Sequence, residues 1–217
     1  MIKMYGFWRS AASFRVRAAL NLKGLAFEEE MIDLDAGAQH AAAYKAVNPQ
    51  ASVPSLIVDG APPLTQSMAI LEYLEETHPT PALLPADARG RARVRSLALI
   101  WAADYHPLIV PRVRGYLADK MGQSEAARTE WVRHWFGEGL AVGERHLAAE
   151  PATGRFCHGD APTFADLCLV SQAMGARVFK VDFSGLPTVT RILDNCLALD
   201  AIKRALPLNQ PGAPKGH

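Results

Sequence analysis

Apolar and polar positions alternate over residues 2–7 (IKMYGF), which predicts a strand. They then recur at helical spacing over residues 11–23, until Gly24 supplies the left-handed residue favoured just past a helix end. A second strand is expected over residues 27–34 and a helical patch over residues 39–47, stopping before Asn48-Pro49. Leu56, Ile57 and Val58 make a further strand, halted by the Asp59-Gly60 turn, and APPLTQ reads as a short edge segment. From Ser67, the run SMAILEYLEETH sets Ile70, Leu71 and Leu74 on one helical face, with Ser67 as its cap. The order βαβ followed by ββα predicts a layered α/β domain.

The pattern changes after residue 78. Pro79, Pro81 and Pro85 fall close together and read as a linker. Beyond them Val94, Leu97, Trp101, Tyr105 and Leu108 recur at helical spacing, and residues 131–147 and 164–179 form two more amphipathic stretches. Expected boundaries are residues 1–80 for the α/β domain, 81–88 for the linker and 89–217 for an all-helical domain. The closing QPGAPKGH reads as a loose tail. No internal repeat is visible.

Composition narrows the functional classes. The chain has 217 residues, 49% of them apolar, and a net charge of +1, with a pI near 7.8. Nothing in this balance suggests a nucleic-acid partner. The one basic run, residues 88–96, reads as the wet face of a helix rather than a polyanion site. With no apolar leader and no membrane-length apolar window, a soluble cytoplasmic protein is expected, without a membrane partner. Cys157, Cys168 and Cys196 form no metal-ligand spacing and read as reduced, buried thiols; the seven histidines show no ligand pairing, so no metal is expected.

Three features of the first domain point to one ligand chemistry. Ser10 stands where a strand hands over to a helix, and a helix start offers unpaired N–H donors with about half a positive charge. Val53-Pro54 precedes a strand where proline cannot donate to the ladder, and a cis bond turning backbone groups towards a ligand explains it economically. Gln66-Ser67 opens a helix whose N–H groups suit a carboxylate. A hydroxyl, a backbone edge and a helix N-terminus together describe a site for a short anionic peptide with a reactive group.

At these residues the sequence resembles the glutathione transferase superfamily, and in particular its zeta-class branch, which includes maleylacetoacetate and maleylpyruvate isomerases. FWRSAASFRVRAALNLKG resembles the branch's arginine-serine signature, NPQASVPSL its Asn-Pro loop and Val-Pro turn, QSMAILEYLEETHPTPALLP its Gln-Ser helix and linker, and APTFADLCLV its helix cap. The resemblance implies a glutathione transferase fold: a thioredoxin-like domain that binds glutathione, then an all-helical domain that shapes the second-substrate pocket. It implies a homodimer and a glutathione-dependent cis–trans isomerase of a maleyl-type diketo acid, acting in aromatic compound breakdown. The alternatives are a general transferase that conjugates electrophiles and a non-catalytic binding module of the same fold.

By the same resemblance Ser10 is catalytic, donating its hydroxyl hydrogen to the glutathione sulfur. Arg9 faces the substrate or, read locally, solvent. Val53, Pro54, Gln66 and Ser67 hold glutathione, with Gln39, His40 and Gln50 towards its glycyl end. His106 and Arg112, with Arg114 nearby, are the candidates for the carboxylates of a small diacid, and proline at 107 and 111 is expected to bend that helix. Arg15 and Arg17 read as structural or interface residues, and Thr163 with Asp166 as a folding cap. Three departures stand out. Ser10-Ala11-Ala12 lacks the cysteine that a dehalogenase variant needs beside the serine, and Pro111 and Val178 stand where arginines are expected.

Overall fold

The computed structural model describes residues 1–214, which form two compact units. The first comprises residues 1–83 together with the chain from Ala198 onward, and the second Leu84–Leu197. The division falls inside the expected linker, but the C-terminal segment groups with the first unit rather than with the helical domain. Lys215, Gly216 and His217 of the expected tail lie outside the described residues.

The first unit runs β1 (Ile2–Gly6), α1 (Ala11–Leu22), β2 (Phe27–Met31), α2 (Ala42–Val47), β3 (Ser55–Val58), β4 (Leu64–Thr65) and α3 (Ser67–Thr77). The sheet order is β2-β1-β3-β4, with β2 parallel to β1 and the other two pairings antiparallel. Met4 and Leu56 from the sheet and Phe14, Leu20, Ile70, Leu71 and Leu74 from the helices are buried together in its core. The second strand stops at Met31, short of the expected residue 34, because the Asp33 carboxylate accepts the N–H groups of Asp35 (2.9 Å) and Ala36 (3.2 Å) and turns the chain. The expected helix over residues 39–47 is split likewise, into a single 3₁₀ turn at Ala38–His40 and then α2.

Buried cations tie this unit together. Arg17, 1% exposed, grips Glu29 of β2 through Nε (2.8 Å) and Nη2 (2.6 Å), while its Nη1 donates to the carbonyl of Ala205 (3.1 Å). That third bond, with Asn21 Nδ2 donating to the Ala201 carbonyl (3.1 Å), draws the C-terminal helix Asp200–Ala205 onto α1. A buried guanidinium has to satisfy its donors, and a carbonyl far along the chain completes the set. Gly6 belongs to the same arrangement, since a Cβ there would run into Glu29 Oε1 while Arg17 holds that carboxylate. Gly6→Ala is therefore expected to destabilise the protein by about 1–3 kcal/mol, read as a lower urea midpoint.

The second unit contains only helices: α4 (Ala88–Leu99), α5 (His106–Ile109), α6 (Pro111–Asp119), α7 (Glu125–Ala149), α8 (Phe164–Val178) and α9 (Pro187–Leu197). Residues Ile100–Tyr105 between α4 and α5 wind as a π-helix, so the apolar spacing expected of one continuous helix is interrupted. Val110 is extended (φ −68°, ψ 156°), and Pro111 opens α6 with no amide hydrogen to place, so the expected bend takes the form of a break. Trp101 is fully buried and donates to the Gly139 carbonyl (3.0 Å).

At the start of α8, Asp166 accepts from Thr163 N (2.8 Å), Thr163 Oγ1 (2.7 Å) and Cys157 N (2.8 Å). Burial raises the Asp166 pKa above the ordinary carboxylate value, although those hydrogen bonds pull the other way. Burial, with the Asp166 charge nearby, raises the Cys157 and Cys196 thiols. A neutral, buried thiol is a poor nucleophile. Folded protein at pH 7 to 8 is expected to release almost no chromophore from an aromatic disulfide reagent, and to react at all three cysteines once unfolded.

Candidate functional site

Sheet register gathers the first unit's candidates at one end. Tyr5 at the end of β1 faces Ser55 at the start of β3, and Ser55 faces Thr65 of β4, so residues 7–10, Val53-Pro54 and Gln66-Ser67 leave the sheet at the same edge. The parallel pairing of Gly6 with Met31 brings the segment after β2 to that edge too. This is the carboxyl end of β1, at the β1–α1 connection, where open α/β sheets place ligands.

Ser10 is the N-cap of α1, and its Oγ accepts from Ser13 N at 3.2 Å. A hydroxyl has one hydrogen and two lone pairs, so this bond leaves the hydrogen available for donation. The Ser13 hydroxyl in turn accepts from Phe7 N (3.2 Å), which anchors the loop that carries Ser10. Arg9 is half exposed and pairs through Nη2 with Asp35 Oδ1.

The Val53-Pro54 bond is cis. The turn before it is held by Tyr44, whose hydroxyl donates to the Ser52 carbonyl (2.6 Å), and by Asn48 Nδ2 donating to the same oxygen (2.7 Å). Asn48 Oδ1 also accepts from Gln50 N (3.0 Å). Gln50 and Gln66 are joined side chain to side chain, Nε2 of Gln66 donating to Oε1 of Gln50 at 2.9 Å.

Gln66 rather than Ser67 is the N-cap of α3, at φ 69°, and it gives no side-chain cap bond among the described residues. Ser67 is the first helical residue, and its hydroxyl accepts from the buried Arg15 Nη1 at 3.3 Å. The helix start therefore lacks a Gln66 side-chain cap among the described residues and carries the positive end of the helix dipole, with the buried Arg15 guanidinium beside it. Gln39 contributes a second opening: its Oε1 is buried and takes no hydrogen bond among the described residues. An uncapped helix start, an orphaned amide oxygen and a hydroxyl with a spare hydrogen fit a small peptide that brings a carboxylate, an N–H donor and a thiol. His40 is exposed, and no side-chain hydrogen bond joins it to these residues.

His106 and Arg112 belong to the second unit, heading α5 and exposed on α6. The Arg114 guanidinium lies 5.8 Å from the centroid of the Phe179 ring. Pro111 is exposed, and Val178 is 76% exposed. Arg15, read from the sequence as structural or an interface residue, positions Ser67, whereas three contributors went unforeseen: Tyr44 and Asn48, which hold the turn before Pro54, and Asp35. Of these only Asn48 left a signal, in its Asn-Pro pair.

Comparison with known proteins identifies the fold. Residues 1–76 match the family model "Glutathione S-transferase, N-terminal domain". The chain is 47% identical over 210 residues to maleylpyruvate isomerase from Ralstonia sp, covering 97% of this chain and 99% of that protein. It is 55% identical to the crystal structure of maleylacetoacetate isomerase from Methylobacterium extorquens AM1 with bound malonate and glutathione (GSH), covering 98% and 99% of the two chains with a TM-score of 0.96. A maleylacetoacetate isomerase from Anaeromyxobacter dehalogenans 2CP-1, with bound dicarboxyethyl glutathione and citrate, is 43% identical, covers 99% of this chain and 94% of that one, and has a TM-score of 0.88.

Proposed function

We infer, from the premise that this chain belongs to the zeta class of the glutathione transferases, the family of the maleylacetoacetate and maleylpyruvate isomerases, that it is a glutathione-dependent cis–trans isomerase of a maleyl-type diketo acid. One observation carries the reading: at the start of α1 the Ser10 hydroxyl accepts from Ser13 N and, among the described residues, keeps its hydrogen for a ligand. When bound, glutathione supplies a thiolate that adds reversibly to a conjugated double bond, so that rotation about that bond becomes easy and the thiol is returned unchanged.

The chain's own residues prepare this chemistry. Ser10 donates to the sulfur and favours its anionic form, with the α1 N-terminus adding to the effect. The cis Val53-Pro54 turn offers main-chain groups to the peptide, the first turn of α3 with Gln66 and Ser67 takes a carboxylate, and Gln39 accepts an N–H. Gln50 braces Gln66. Arg9 takes a substrate carboxylate and stabilises negative charge that develops on the neighbouring carbonyl oxygen. His106 and Arg112 are assigned to the substrate by likeness.

Malonate, citrate and a dicarboxyethyl thioether in the related structures support a diacid substrate and carbon–sulfur chemistry. A homodimer in the cytoplasm, working in aromatic compound breakdown, completes the proposal; among the described residues no helix is long and apolar enough to cross a membrane. A second reading, a general conjugating transferase, is favoured by Val178, exposed where the resemblance expects an arginine. Incubating the purified protein with maleylpyruvate or maleylacetoacetate tests the proposal. Conversion of at least one to its trans isomer is expected with glutathione and not without it; conversion of neither would reject it.

A further inference from the structure

We propose that Asp35 is a built-in competitor, a carboxylate that occupies the Arg9 guanidinium until a diacid displaces it. This rests on the reading of Arg9 as a ligand of the substrate carboxylate.

The pair is specific in its geometry. The Arg9 guanidinium lies 5.5 Å from the centroid of the Phe7 ring and 5.8 Å from that of Trp8, so both rings of the β1–α1 connection form a shelf beneath it. Its only hydrogen bond among the described residues runs from Nη2 to Asp35 Oδ1. One nitrogen is engaged, and the rest of the planar fork is left for a second carboxylate. Asp35 does not reach this place by chance. The Asp33 side chain holds the N–H groups of Asp35 and Ala36, and Gly37 at φ 75° then reverses the chain, so the loop presents the Asp35 carboxylate to Arg9 across 26 positions of sequence.

Weakness is what makes the pair exchangeable. The two side chains are 47% and 57% exposed, and an ion pair this wet is held loosely and screened by salt. With Phe7, Trp8, Met31, Asp33, Gly212 and Pro214, Asp35 lines an open cavity of about 330 Å³, all within the first unit. By contrast the Arg17–Glu29 pair is bidentate and buried, and nothing arriving from solvent can replace its carboxylate. A diacid bound beside Ser10 presents the same chemical group as Asp35, with a second charge to hold it elsewhere. Asp35 therefore lowers the affinity of Arg9 for every carboxylate by a common factor, and a diacid recovers that loss through its second charge.

Malonate binding to the glutathione-loaded protein, measured by calorimetry, tests this without turnover. Asp35→Asn is expected to tighten malonate about two- to fivefold, the range an exposed pair can contribute. In an Arg9→Ala background the same change leaves malonate as weakly held as in Arg9→Ala alone. An affinity unchanged or weakened in Asp35→Asn, an equal tightening in both backgrounds, or no malonate binding to the wild-type protein would each overturn the role. Failure of the isomerase reading would look different: neither keto acid would turn over, while the malonate cycle could still give the expected pattern.

Discussion

Replacing Ser10 by alanine is expected to lower kcat/KM for glutathione-dependent isomerisation about ten- to a hundredfold. A hydrogen bond from a hydroxyl to a charged group contributes about 1.5–3 kcal/mol, and each 1.4 kcal/mol corresponds to tenfold. A free thiol titrates near ~8.5, and lowering it by roughly two units takes about 2.7 kcal/mol of preference for the anion. The Ser10 hydroxyl and the positive end of α1 supply that between them, with no general base required. The pH profile follows in sign. A thiol held below its free value keeps its activity as pH falls towards that lowered pKa, so the wild-type profile loses rate only below it. In Ser10→Ala the half-maximal point moves up, towards the free thiol value.

Ser10 is also a helix cap, so its alanine variant loses about 1 kcal/mol of stability as well. Ser10→Gly separates the two effects, since glycine at an N-cap costs only a few tenths of a kcal/mol. Equal loss of activity in both variants, with different melting temperatures, is the expected result. Activity that instead tracks stability would reduce Ser10 to a cap.

Replacing Lys23 by methionine is expected to give the largest loss of stability, about 3–5 kcal/mol. The Lys23 ammonium is fully buried and uses all three hydrogens, donating to Glu75 Oε2 (2.8 Å), the His78 carbonyl (2.7 Å) and the Pro81 carbonyl (3.0 Å). Glu75 is 5% exposed and accepts in addition from Leu83 N through both oxygens. Removing the lysine takes its buried countercharge from the Glu75 carboxylate and the Lys23 donor from two carbonyls, and the chain that leaves α3 loses its fastening. A fall of roughly 10 °C or more in melting temperature is expected. Because α3 carries the Gln66-Ser67 end of the site, glutathione affinity should fall with it. A melting temperature within a degree or two of wild type would show that the pair is dispensable.

These two residues also mark what the sequence discloses and what it hides. Strands and helices set by alternation or helical spacing were legible, β1, α1, β3 and α3 among them; that Ser10, Val53-Pro54 and Gln66-Ser67 leave the sheet at one edge was not, since it follows from the strand pairings of β3 with β1 and β4. The early end of β2 was not legible, since it depends on the Asp33 side chain competing with the ladder for two N–H groups. The cap of α3 was misassigned by one residue, because Gln66 adopts a positive φ that few non-glycine residues take and Ser67 is drawn instead to Arg15. The placement of the chain after Ala198 follows from Arg17 needing a carbonyl 188 positions away, and the pairing of Arg9 from a loop turn. Contacts of that kind have no local pattern to read.

The most direct measurement of the central claim is the free-thiol balance during turnover. Substrate is supplied in large excess over protein and comparable to glutathione, and thiol and trans product are counted together. An isomerase that borrows the thiol leaves the glutathione count unchanged while product accumulates through many turnovers. Thiol lost mole for mole with substrate, with no trans isomer formed, would contradict the account and establish a conjugating transferase in its place.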